Sequence, residues 1–382
     1  MKILLMVPKY TAQFIIGNIL KYIFIIIGPA GIKIGQVLSH RSDIFSENIC
    51  NILSGLTNNV PGLSNKEEKF MLEYAKKIVN YDKKPLKLGA GCVAVTYLTT
   101  VNNENIVIKI KRPNIEKKLE TSFYIIYNLL TLLSKLGFIN LNEKIYKIKD
   151  SLLKQADFEF ELCEIEYFHN KYSNSEMFKK IKIPKPYRHL SNNNLICLEY
   201  LKGKCLDDID SEIEKTNMAD ILWNFAFHSS FIDGHWHSDL HKGNLICLGD
   251  KLGIIDFGIT GCLKGFEKSI VLNYNSHILK QEWKMAARLY VRKMTNKTNI
   301  SSTESDLFIS DIAIILEKYF GKCCPDMIGS VSAIDKCSRK HGTRFNNRYA
   351  KFEIAFSTMA GTMIELGYNN IYTYMQKKMI SK

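Results

Sequence analysis

The chain has 382 residues, of which 46% are hydrophobic and 24% charged, an ordinary globular composition with ample core and length for two lobes plus an extension. Its formal charge of +14 is spread along the chain, so charge alone does not choose among anionic membrane, nucleotide and nucleic acid as partner. Ten cysteines lack a CxxC pair, only Cys323 and Cys324 being adjacent, which argues against a zinc ribbon or disulfide framework and for a reducing intracellular compartment.

Residues 1–7 are apolar but too short for a cleavable secretory signal. Residues 14–27 are the longest apolar run, interrupted by Asn18 and Lys21. They fall short of the roughly 18–20 apolar residues of a spanning helix. They read as a packed helix, with a helix lying on a membrane surface as the alternative. Gly28-Pro-Ala-Gly31 breaks the pattern, and a second periodic stretch follows over residues 32–38. Residues 39–43 read as a turn, residues 44–56 continue the helical period, and residues 66–79 form a charged amphipathic helix. Residues 1–80 are thus a helical extension.

From Tyr81 the pattern becomes strand, small-residue turn, strand, turn and strand with an embedded lysine. Gly89, Ala90 and Gly91 form the small-residue turn, where backbone amides can approach phosphates. Lys109, in Ile106-Val-Ile-Lys109-Ile, would neutralise the α/β-phosphate charge. Each signal is weak alone; order and spacing join them.

Residues 114–175 read as helical and include an acidic run from Asp157 to Glu166. Glu161 is the candidate to hold Lys109 in place, and the other acids read as a solvated face. Two strands follow at residues 181–184 and 195–200, and backbone groups around Glu199 to Leu201 would meet an adenine edge. This small lobe spans residues 81–200, and a mainly helical large lobe spans 201–382.

The most informative stretch is His237-Ser-Asp239-Leu-His241-Lys-Gly243-Asn244, followed by a short apolar strand and Asp256-Phe-Gly258. Phosphoryl transfer needs a carboxylate to orient the attacking oxygen, and Asp239 suits that role. It also needs oxygen ligands for Mg2+, and Asn244 and Asp256 stand at the loop and strand end that would supply them. ATP and Mg2+ are therefore the expected cofactors.

With these residues in view, the chain resembles the UbiB/ABC1/ADCK family of atypical protein-kinase-like proteins over roughly residues 24–262. Lys33-Ile-Gly35-Gln36 matches that family's KxGQ segment, and Lys109-Ile-Lys-Arg112-Pro113 is similar to its lysine strand. The resemblance implies an α+β, bilobal protein-kinase-like fold with the N-terminal extension folded over the site, Lys33 and Gln36 reaching into it. It further implies a Mg-dependent ATPase or small-molecule or lipid kinase linked to isoprenoid-quinone or lipid metabolism at a membrane. The partners would be ATP, a lipid or quinone precursor and a peripheral anionic membrane surface, with no nucleic acid. Two departures stand out. Gln155-Ala-Asp157 replaces the family's ExD, and glycines flank Ala90 where the family is often alanine-rich.

Three rival readings compete with this one. A metallohydrolase HxHxDH motif is missed by one residue, because His241 follows Asp239 by two. A nucleotide-sensing scaffold without meaningful turnover fits the same residues. A protein kinase acting in trans is disfavoured by the extension.

Overall fold

The computed structural model describes residues 9–39, 44–56, 62–139, 149, 152–173, 175–263, 265–296, 302–321 and 327–368. The chain divides into two compact units, one of Met1–Glu166 with Lys185–Tyr200 and one of Tyr167–Pro184 with Leu201–Lys382. The turn expected at residues 39–43 and the end of the chain beyond residue 368 lie outside the described residues, apart from Ser39.

The first unit opens with helices α1 (Lys9–Ile27), α2 (Pro29–Ser39), α3 (Glu47–Ser54) and α4 (Asn65–Val79). Gly28 ends α1 at φ +89°, a left-handed conformation in which a side chain would be strained. Leu20, Phe24, Ile32, Ile34, Ile49 and Leu53 are buried together against Phe123, Ile126 and Leu130 of α5 (Ile115–Lys135). The KxGQ segment lies in α2, where Gly35 lets Phe24 and Leu56 come so close that a Cβ would collide with both. Ser64 and Glu67 form a capping box that starts α4.

Strands β1 (Leu86–Ala90), β2 (Ala94–Val101) and β3 (Glu104–Lys111) form an antiparallel sheet completed by β5 (Leu195–Glu199). Alternation along β3 buries Ile106, Ile108 and Ile110 against Met71, Ala75 and Val79 of α4, which turns Lys109 to the other face. Helix α6 (Phe158–Phe168) supplies Glu161, and its last two residues belong to the second unit.

In the second unit β4 (Ile181–Lys182) pairs in parallel with β9 (Leu252–Ile254), in a sheet ordered β4-β9-β8-β6 with β8 (Leu245–Cys247) and β6 (Lys204–Cys205). A two-stranded ribbon joins β7 (His235–His237) to β10 (Thr260–Cys262). The remaining described elements are helical: α7 (Glu212–Phe227), α8 (Phe266–Leu279), α9 (Trp283–Leu289), α10 (Ser302–Phe320), α11 (Met327–Lys340) and α12 (Asn347–Glu365). Among the described residues, no helix is long and apolar enough to cross a membrane.

Candidate active site

In the first unit the Lys109 ammonium meets the Glu161 carboxylate at 2.6 Å. Glu161 is 2% exposed and Lys109 18%, so the pair sits where water screens it little. The ammonium nitrogens of Lys109 and Lys111 lie over the Phe158 ring, 5.7 and 5.0 Å from its centroid. Helix α6 starts in register because the Asp157 carboxylate accepts the Phe160 N–H at 3.0 Å.

The small-residue turn lies at the end of β1 in the same sheet, where Thr96 of β2 stands between Gly89 and Lys109. A register shift between Lys87 and Gly89 brings Gly89 opposite Thr96 and Ala90 opposite Val95, and the Gly91 N–H donates to the Ala94 carbonyl at 2.8 Å. The Gly91 carbonyl in turn accepts the buried Arg112 Nε–H at 2.9 Å, a partner that sequence reading had not assigned. A Cβ built at Gly89 meets nothing and one at Gly91 meets only the Ala94 carbonyl at 3.5 Å. Neither glycine has a positive φ, so neither backbone strain nor crowding within the chain requires glycine there.

The KxGQ helix packs on the same turn: Ala30 joins Val93, Ile115, Leu119 and Ala156 in one apolar cluster. Burial pushes the Cys92 thiol above its ordinary pKa, and the charges of Lys33 and Arg112 act against that rise. Lys33 lies on the same helix as Ala30, which packs on the turn. Gln36 instead bonds within the extension, its amide donating to the Leu56 carbonyl at 3.4 Å. Gln155, at the departure from ExD, buries its Oε1 with no hydrogen-bond partner. At Glu199 the N–H donates to the Lys185 carbonyl at 2.9 Å and the carboxylate accepts the Lys185 N–H at 3.0 Å. That backbone N–H is thus committed within the first unit.

In the second unit His237 links the two carboxylate-bearing loops. Its Nδ1 accepts the Asp239 N–H at 3.0 Å, and its Nε2 bonds the Asp256 carbonyl. Burial holds the His237 pKa below its ordinary value, so the ring is neutral and these partners define its tautomer. The Asn244 amide donates to the Asp239 carbonyl at 3.0 Å, which turns its oxygen the other way. The Ile255 N–H reaches back to the Asn244 carbonyl at 3.0 Å. Asp256 accepts the Gly258 N–H at 2.9 Å, and Phe257 is fully buried against Phe168 and His237 with ring centroids 5.0 and 4.9 Å apart.

Burial pushes the Asp239 carboxyl upward, but the hydrogen bond and the charge of His241 outweigh it. The net effect lowers its pKa, and the carboxylate is ionised at neutral pH. His241 is half exposed, with Nε2 3.5 Å from Asp239 Oδ2. The loop is also held from the far end of the chain, since the Thr362 hydroxyl of α12 donates to the Leu240 carbonyl at 2.8 Å. The geometry thus brings Lys109 to Glu161 in one unit, and Asp239, Asn244 and Asp256 together in the other.

The ABC1 atypical kinase-like domain matches residues 66–290. The chain belongs to that family. An uncharacterised protein of Synechocystis is 27% identical over 315 residues, covering 76% of each chain. The "Probable protein kinase UbiB" of Haemophilus ducreyi is 24% identical, covering 78% of this chain and 58% of its own. The chloroplastic "Protein ACTIVITY OF BC1 COMPLEX KINASE 1" of Arabidopsis thaliana is 26% identical, covering 70% of this chain and 41% of its own. The chain therefore spans about half the length of several relatives that it matches. Among solved structures, that of Rv3197 with erythromycin from Mycobacterium tuberculosis superposes with a TM-score of 0.54 at 13% identity, covering 80% of this chain and 79% of that one. The fold is α+β and kinase-like, and this ABC1 chain is an atypical kinase-like protein.

Proposed function

We propose that the chain binds MgATP and transfers its terminal phosphoryl group to water or to a small-molecule or lipid hydroxyl. The observation that carries this reading is His237, whose two ring nitrogens hold Asp239 and Asp256 in one rigid frame. A hard-oxygen set of one carboxylate and one amide, Asp256 and Asn244, fits Mg2+ better than a softer ion. When bound, the cation would neutralise phosphate charge. Lys109, oriented by Glu161, would hold the α/β-phosphates, and ionised Asp239 would orient the nucleophile and accept its proton. Glycines at 89 and 91 have no packing or conformational reason of their own, in keeping with a turn left open for phosphates.

A lipid acceptor, and with it isoprenoid-quinone or other lipid metabolism, is favoured by helix α1. Phe14, Ile19, Tyr22 and Ile26 lie along its exposed side, with Tyr22 and Ile26 each 67% exposed. On a protein of charge +14, this face suits shallow contact with an anionic bilayer. Flotation with anionic vesicles should carry the protein upward, and protein left wholly in the soluble fraction would remove this part of the reading. The scaffold alternative draws on the packing of α2 against the phosphate turn, an arrangement that would bind nucleotide without turnover.

The decisive test is thermal stability with and without MgATP for the native chain and Asp256→Asn. Ligand at a hundred times its Kd should stabilise by roughly 2.7 kcal/mol, a shift of several degrees. The shift should vanish in the variant; unchanged MgATP affinity there would sink the assignment. Turnover that depends on Asp239 would then separate the enzyme from the scaffold.

A further inference from the structure

Helices α10 and α11 carry a group of side chains that phosphoryl transfer does not use. Asp311 on α10 faces Cys337 and His341, and one donor atom from each lies within 4.8 Å of the others. This is the His, Cys, Asp and Glu cluster of that kind among the described residues. Cys337 and His341 are four apart, and the His341 N–H donates to the Cys337 carbonyl at 3.1 Å, so helical geometry continues through both. Their side chains therefore share one face. His341 Nε2 lies 2.8 Å from Asp311 Oδ2. Its ring is stacked on Phe308, one turn before Asp311 on the same helix, at 4.6 Å and 22°.

We propose that Asp311, Cys337 and His341 form a zinc site, with water completing the coordination. The donor set decides the ion. One thiolate, one imidazole and one carboxylate suit zinc, whereas Mg2+ and Ca2+ take oxygen ligands alone. Tetrahedral zinc sets its ligand atoms roughly 3.3–3.7 Å apart, so the cluster needs only a slight opening between His341 and Asp311. Cys337 is 8% exposed and His341 17%, while Asp311 at 35% leaves a path for the ion. Binding forms Zn–S, Zn–N and Zn–O bonds, and the thiol proton leaves to solvent together with any proton held on His341 Nε2. Lys340, which bonds Asp311 at 3.1 Å, is 73% exposed and swings into water at little cost. Occupied, the site would clamp α10 to α11 within the second unit, with no residue shared with the proposed nucleotide site.

The bland reading is an Asp311–His341 ion pair capped by Phe308, for which Cys337 is only filler. The test uses the full chain stripped with chelator and titrated with Zn2+ or Co2+. Expected are a single bound equivalent, a thiolate-to-cobalt charge-transfer band, and protection of Cys337 from alkylation read by mass spectrometry. Cys337→Ser and His341→Gln should each weaken binding by more than the roughly 10–100-fold that loss of an outer partner causes. Unchanged far-UV circular dichroism in both variants would assign that loss to the ligands. Absence of binding, or binding that survives in both variants, would overturn the site. MgATP affinity is a separate readout, and its failure would leave the zinc result standing.

Discussion

The Thr362 hydroxyl donates to the Leu240 carbonyl across 122 positions of sequence, tying the last described helix to the loop that carries Asp239. Both residues are buried, so the carbonyl has no water to replace the hydroxyl. Thr362→Val keeps the shape and removes the donor. It should cost about 1–3 kcal/mol in urea unfolding and lower kcat more than it raises KM. Unchanged stability would mean the loop holds its shape without α12.

Lys109 and Glu161 should show strong coupling. Lys109→Met leaves the Glu161 carboxylate buried without its cation, for a loss of roughly 3–5 kcal/mol. In a Glu161→Gln background the same change should cost much less. A double-mutant cycle measures the difference, and additive effects would refute a buried, unscreened pair.

Arg112→Lys removes the Nε–H that Gly91 accepts. Freed of that anchor, the phosphate turn should bind MgATP roughly tenfold more weakly, about 1.4 kcal/mol, in isothermal titration. Equal affinity would show that the Gly91 to Ala94 hydrogen bond suffices.

Asp233 sets an acid limit to stability. Burial opposes its ionisation, but hydrogen bonds from Lys171 and Tyr172 and the charge of His228 hold its pKa below 3.8. A carboxyl lowered in the folded state contributes stability above its unfolded value, which disappears as pH falls through the folded one. Midpoints of urea unfolding should therefore fall below pH 3.8, and Asp233→Asn should be weaker at neutral pH with a flatter acid limb. A parallel acid limb in the variant would exclude Asp233 as the cause.

Gly35→Ala forces a methyl group into Phe24 and Leu56. Overpacking of this kind costs typically about 1–3 kcal/mol. Because α2 packs with Val93 of the phosphate turn through Ala30, the loss should appear in nucleotide affinity as well as in melting temperature. A variant as stable as the native chain would show that Phe24 and Leu56 yield easily.

Local pattern was enough to place the helices of the extension, the strand carrying Lys109 and the short strand that leads to Asp256. Helical and strand periods repeat within a few residues, so neighbours in sequence report which face is buried. The loop residues were legible for a related reason: one tight turn must hold Asp239 and Asn244 whatever surrounds it. Long-range partners were not legible. Residues 181–184 read as a strand of the small lobe, yet Ile181–Lys182 pairs with Leu252–Gly253 in the second unit, because so short a strand carries no label for its sheet. Gln36 bonds to Leu56, Arg112 to Gly91 and Thr362 to Leu240, and Cys337 meets Asp311 and His341. Each of these depends on which polar atoms burial brings together after distant elements pack. The sequence by itself determined the local elements and the chemistry each could offer; tertiary packing decided the partners, because a buried donor must bond to whatever the fold sets beside it.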